Sequence, residues 1–159
     1  MSLPYPVIEV AVVLITDPRG ERLLADYNPD WGGFTLPMTK RRNPGHADEP
    51  WAQEAESPLA AATRAAVEVL GRPLPPDRLP VPLPFELPPW EVSLRDGGWK
   101  RYTRWPFALV ADGTPHPLPG HVALWLTPAE FEKYEPISPT VSQILGAIPF
   151  VDVKKALRL

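Results

Sequence analysis

Val7 to Ile15 is an almost unbroken run of apolar and β-branched residues, broken only by Glu9, and such a run predicts a strand buried on both faces. Asp17-Pro18-Arg19-Gly20 follows as a turn, with Pro second and Gly fourth. Arg22 to Tyr27 can then return antiparallel, ended by Asn28-Pro29-Asp30, and Phe34 to Leu36 predicts a short strand leading into Pro37. The pattern changes at Glu56. From there to Gly71, Leu59, Ala62, Ala66, Val67 and Leu70 recur at helical spacing. Ser57 can cap that helix with its hydroxyl, and Pro58 fits N1, where its missing N–H costs nothing. Gly71 can end it in the left-handed conformation, and Pro73 forbids resumption. The five alanines between Ala60 and Ala66 keep the helix thin enough to sit close on a sheet.

Beyond that helix, Arg72 to Trp90 carries eight prolines, a density that predicts polyproline and turns on the surface rather than a ladder or helix. Pro73 to Pro76 satisfies PxxP, which also suits a docking segment. Glu91 to Trp105 reads as a hairpin around Asp96-Gly97, with Lys100, Tyr102 and Arg104 alternating against Trp99, Arg101 and Thr103. Phe107 to Ala111 and His121 to Leu126 predict two further strands. Thr127-Pro128-Ala129-Glu130 is a capping box opening a helix to about Tyr134. Ser138-Pro139 starts another, which runs through Val141, Ile144 and Leu145 toward Pro149. No repeat and no interdomain linker interrupts this order, so the expectation is one domain over residues 1–159, a mixed sheet with helices on both sides.

Composition narrows the function classes. A chain of 159 residues can bury one core. A net charge of −3 gives no general electrostatic case for nucleic acid, and none is expected as a partner. Cys is absent, which excludes disulfides and thiolate chemistry and permits a reducing compartment; the expected location is the cytoplasm. The N-terminal apolar run is too short to span a bilayer, and no membrane partner is expected. The unusual number is 24 prolines, about three times ordinary usage.

The capped helix also carries a resemblance. ESPLAAATRAAVEVLG looks like the second half of the Nudix box, G-x5-E-x7-R-E-U-x-E-E-x-G-U, with U a bulky apolar residue. Glu56 and Arg64 have the E-x7-R spacing, and Glu68 and Gly71 fall on the first glutamate of the pair and the following glycine. Leu36-Pro37-Met38-Thr39-Lys40, preceded by Trp31, resembles the L-P-G-G-K lead-in. Trp125-Leu126-Thr127-Pro128 and Ile137-Ser138-Pro139-Thr140 are similar to late Nudix segments. The resemblance implies an α/β fold, a Nudix-like α/β/α sandwich with a mixed β-sheet between helices. It also implies hydrolysis of nucleoside diphosphates linked to another group, with Mg²⁺ or Mn²⁺ as cofactor, or no cofactor where the box is incomplete. Glu68, Glu56 and Arg64 become the catalytic candidates, and Glu68 the metal ligand.

The departures from the pattern are specific. Ala65 and Val69 stand where the family has two of its glutamates, Met38 and Thr39 replace the glycines, and position 72 is Arg rather than apolar. The connection from Lys40 to Ala55 is longer than the family spacing. Mg²⁺ takes near-octahedral oxygen ligands, and positions 65, 68 and 69 would offer them from one helix face. Here that face keeps one carboxylate. Glu68 can ligate weakly, or pair with Arg64 four residues earlier. Glu56 lies ahead of the helix. Eight residues of helix rise about 12 Å, so Arg64 reaches Glu56 only if the chain folds back. Replacement carboxylates could come from Asp48, Glu49 or Glu54.

Lys40, Arg41 and Arg42 are the substrate-binding candidates for phosphate, with an ordinary charged loop as the alternative. Arg101 and Arg104 are weaker ones. His46, His116 and His121 have no metal-ligand spacing, and Thr39 has no partner suggesting a nucleophile. Three functions follow. The first is a degenerate-box domain that binds a phosphorylated small molecule or a partner with weak or no hydrolysis. The second is an active pyrophosphohydrolase supplied with ligands by the 41–55 insertion. The third is a structural or protein-binding domain using its proline-rich 73–89 surface.

Overall fold

The computed structural model describes residues 7–28, 33–45, 53–93, 99–133 and 139–159. Trp31, the 29–30 break, His46, Asp48, Glu49, the Asp96-Gly97 turn, Tyr134, Ile137 and the Ser138 cap lie outside them. Strands β1 (Val7–Thr16), β2 (Leu23–Asn28), β3 (Gly33–Thr35) and β4 (Met38–Lys40) precede helix α1 (Pro58–Leu70). Then come β5 (Val81–Pro82), β6 (Trp90–Ser93), β7 (Trp99–Val110) and β8 (Val122–Leu126). Helices α2 (Pro128–Lys133), α3 (Pro139–Ala147) and α4 (Phe150–Ala156) close the chain.

The sheet is mixed. Its main path runs β3-β2-β1-β7-β5, with β4 on β1, β6 on β7 and β8 on β2. β1 and β7 are parallel over ten residue pairs, from Val7↔Arg101 to Thr16↔Val110, and the other pairings are antiparallel. From Val10 to Thr16, β1 is buried on both faces, as its composition requires. Ala11, Val13 and Ile15 face α1, joined by Leu24, Phe107 and Leu109. Val10, Val12 and Leu14 face the other layer, where Phe131, Val141, Ile144, Ile148 and Val153 come from α2, α3, the α3–α4 junction and α4. This is an α/β/α sandwich. Among the described residues no helix is long and apolar enough to cross a membrane.

α1 follows its local signals. Ser57 is extended and its hydroxyl accepts from the Ala60 N–H at 3.1 Å, Pro58 is the first helical residue, and Gly71 has φ 72°. The buried stripe is rotated from the expected one: it is Ala61, Ala62, Ala65, Ala66, Val69 and Leu70, while Leu59 is 40% exposed. The reason is steric. Four alanines on one stripe let the helix lie close on β1, and that gain outweighs hiding a single leucine at the first turn.

Three other expectations are corrected. Met38–Lys40 is a strand rather than a loop entrance, because the chain returns to β1 after Pro37, with Val10↔Lys40 and Val12↔Met38 in register. Phe107–Val110 is not a separate strand: β7 runs through Pro106, whose carbonyl accepts from Leu83 N–H at 3.0 Å on the side away from β1. β6 covers β7 up to Tyr102 and β5 begins at Phe107, so the missing proline N–H falls in the gap between two short partners. The proline-rich stretch is not confined to the surface either. Val81-Pro82 pairs with β7, and Leu83 and Leu87 are buried in the core. Beyond the expected elements, residues after Pro149 form α4, with Asp152 in the first turn and Lys154 and Lys155 in the last, the charge order a helix dipole favours.

Candidate functional site

Arg64 projects from α1 toward the carboxylate just ahead of the helix, so the chain does fold back. Its Nε donates to Glu56 Oε2 at 3.1 Å and its Nη2 to Glu56 Oε1 at 2.8 Å, a bidentate pair. Nη2 also donates to the Lys40 carbonyl at 2.8 Å, and Nη1 to Thr39 Oγ1 at 3.0 Å. One guanidinium thus ties β4 to the residue that enters α1. Glu56 has a side chain only 9% exposed. Burial alone would raise its carboxyl; the Arg64 hydrogen bonds, the Arg42 backbone N–H and the charges of both arginines together hold it below the usual carboxylate range.

The basic run is divided by the same geometry. Arg42 N–H donates to Glu56 Oε1 at 3.1 Å and Glu56 N–H to the Arg42 carbonyl at 2.9 Å, closing the base of the 41–55 insertion. Arg41 is committed to the fold: Nη1 meets Glu9 Oε2 at 2.7 Å, and Nε donates to the Glu56 carbonyl. Lys40 ends β4 with an exposed side chain. It shares register with Val10, so it stands on the sheet face opposite α1.

Glu68 is one-third exposed and receives Arg64 Nη1 at 3.5 Å, which is the ion pair that the spacing allows. Ala65 and Val69 are 3% and 2% exposed and lie in the apolar cluster under α1. Glu54 is exposed at the end of the insertion. Among the described residues no group of three or more Asp, Glu, His or Cys side chains is placed to hold a metal ion. The donor set formed by these residues does not fit a divalent cation.

A polar pair absent from the sequence reading lies beside Glu68. Asp26 lies two residues after Leu24 on β2 and so on the same face, toward α1. His121 sits two residues before Ala123, the register partner of Asp26, a diagonal position within reach of a ring. Its Nδ1 lies 3.1 and 3.0 Å from the two Asp26 oxygens. The signal in the sequence was an acid at an inward strand position. Burial pushes the Asp26 carboxyl up, the His121 interactions pull it partly back, and the Glu68 charge raises it again, leaving it above its ordinary value. A raised folded value contributes stability that is fully present below the unfolded value and is lost as pH rises through the folded one. Asp26→Asn is therefore expected to be more stable than the parent at pH 7. That gap should narrow as pH falls toward 4, and melting curves at stepped pH check it.

With this layering and the α1 clasp in place, the fold is recognisable as the Nudix fold. The MutT protein of Methanosarcina mazei Go1 superposes with a TM-score of 0.65 at 18% identity, covering 99% of this chain and 100% of that one. A NUDIX hydrolase from Nitrosomonas europaea gives 0.56 at 18% identity, covering 89% and 87%. The C-terminal domain of mouse MUTYH, solved in complex with human PCNA, gives 0.54 at 21% identity, covering 88% and 86%. No protein-family model matches the sequence, and no curated protein does.

Proposed function

We propose that this chain is a Nudix-fold domain that binds a phosphorylated small molecule, with weak or no hydrolysis. One observation carries the reading: the box residues Glu56 and Arg64 are kept but engaged as a clasp, while positions 65 and 69 are buried and apolar. A helix face with one exposed carboxylate, itself paired to Arg64, supports loss of metal-dependent cleavage rather than loss of the fold. Lys40 and Arg42, at the end of β4 and the base of the insertion, support an anionic ligand. Calorimetric titration with a nucleoside diphosphate tests this. Lys40→Ala/Arg42→Ala should bind at least about tenfold more weakly, and the remaining binding should depend less on salt, because exposed charges act over about 8 Å at physiological ionic strength. Equal affinity and equal salt dependence in both proteins would return the basic run to the status of a charged loop.

A protein-binding reading is favoured by two observations. The MUTYH domain of this fold was solved with a protein partner, and the proline-rich segment exposes Leu79 and Val81 here. The titration separates the two, since a domain that binds only a protein partner leaves the nucleotide unbound.

A further inference from the structure

Arg104 lies in β7, opposite Val10 in the parallel ladder with β1, and therefore on the sheet face away from α1. It is 6% exposed. Nη2 donates to the Pro88 carbonyl and to Gln143 Oε1, both neutral acceptors. Nε and Nη1 are buried and, among the described residues, have no hydrogen-bond partner. Among the described residues no carboxylate faces the group; burial is what shifts it, lowering it from the usual arginine range. A guanidinium cannot shed its charge as a buried lysine can, and an unpaired buried charge is costly. Its neighbours along the same face of β7, Tyr102 and Ala108, pack into the apolar core, so packing alone calls for an apolar side chain here.

The register supplies a second cation. Lys40 pairs with Val10 from the opposite side of β1, so Lys40, Val10 and Arg104 form one row across three adjacent strands. Two strand spacings place the two cation-bearing residues about 10 Å apart, one exposed and one buried. Neither Lys40 nor the free edge of Arg104 has a charge partner among the described residues. A single carboxylate would balance one of these charges; a phosphate or diphosphate balances both.

We propose that Arg104, with Lys40 at its rim, is the anion subsite of this domain, and that it takes a phosphate or diphosphate group on the sheet face opposite α1. This rests on the phosphorylated-ligand reading and gives it a location away from the Arg64 clasp. The ligand enters past Lys40 and meets the Nε and Nη1 donors where the chain from Pro88 and Gln143 of α3 now cover the guanidinium.

The test uses the full chain and inorganic pyrophosphate, with sodium acetate and sodium chloride at matched ionic strength. Pyrophosphate is expected to raise Tm by several degrees over chloride, as a ligand of the native state does, while acetate does not. Arg104→Met should be at least as stable as the parent without anion and should lose most of the pyrophosphate shift. Lys40→Glu, at an exposed position, should keep the fold and also lose the shift. The proposal is overturned if the parent shows no shift, if acetate matches pyrophosphate, or if either variant keeps the full shift. A marked loss of anion-free stability in Arg104→Met also overturns it, since the guanidinium would then serve to hold Pro88 and Gln143. Equal nucleoside diphosphate binding by the parent and Arg104→Met removes this subsite and leaves the functional reading intact. A pyrophosphate shift without nucleotide binding does the reverse.

Discussion

Gly71→Ala should lose roughly 2–5 kcal/mol of stability, more than any other single methyl added to a described glycine of this chain, from left-handed backbone strain and overpacking together. Gly71 has φ +72°, and a Cβ there would sit 1.7 Å from the His116 carbonyl oxygen and 2.7 Å from its carbon. Neither atom can retreat cheaply. His116 N–H donates to the Leu70 carbonyl at 2.9 Å and Leu118 N–H to the Glu68 carbonyl at 3.1 Å, so the loop before β8 is fastened to the last turn of α1. For a chain of this size the loss corresponds to a Tm lower by about 10 °C. A change below about 2 °C would show that the loop does not hold the helix end.

Arg64→Met carries the second large effect, through the carboxylate it abandons. Glu56 would keep its burial and lose both guanidinium hydrogen bonds, and Thr39 Oγ1 and the Lys40 carbonyl would lose their donor. Breaking one side of such a pair costs about 3–5 kcal/mol, discounted here toward the lower figure because Arg64 is 20% exposed. Adding Glu56→Gln should recover part of that loss, so the pair is strongly non-additive. The pH dependence has a definite sign. A carboxyl whose folded value is lowered gives stability that is present above its unfolded value and lost as pH falls through the folded one. The parent should lose the clasp in acid, below about pH 4, while Glu56→Gln stays flat there. Chemical unfolding of the four proteins between pH 3 and pH 7 measures both effects; additive losses would remove the clasp from the account.

The contrast between what the sequence disclosed and what it hid follows the range of the interactions. The caps of α1 were legible because Ser57, Pro58 and Gly71 act within one turn of their own backbone. The capping box was legible for the same reason: Thr127 and Glu130 exchange hydrogen bonds of 3.1 Å across three residues. β1 was legible because a strand inside a two-faced core leaves a continuous apolar run. By contrast, Met38–Lys40 is a strand only because β1 lies beside it, and Lys40-Arg41-Arg42 reads locally as a loop. Pro106 broke the expected strand because its tolerance depends on where β5 and β6 stop. Leu83 and Leu87 enter the core from a segment whose prolines announce a surface.

The candidate site divides in the same way. The spacing found Glu56, Arg64 and Glu68, and the structure brings all three together. It could not show that Arg41 is spent on Glu9, or that Lys40 turns to the opposite face, since both depend on strand register. Asp26 and His121 are 95 residues apart in the chain, and only the β2–β8 pairing joins them. Arg104 was legible as a basic residue on a hairpin face; its burial comes from the proline-rich segment and α3 closing over β7.

The proposed function has this Nudix-fold domain hold a phosphorylated ligand without efficiently cutting it. Phosphorus-31 spectra of a nucleoside diphosphate linked to a sugar, recorded with the full chain in millimolar Mg²⁺, test it most directly. Broadened or shifted diphosphate resonances, saturating with protein, are expected, with no phosphomonoester signals accumulating over hours. Prompt growth of two phosphomonoester resonances at the expense of the diphosphate would contradict it, and would favour an active pyrophosphohydrolase.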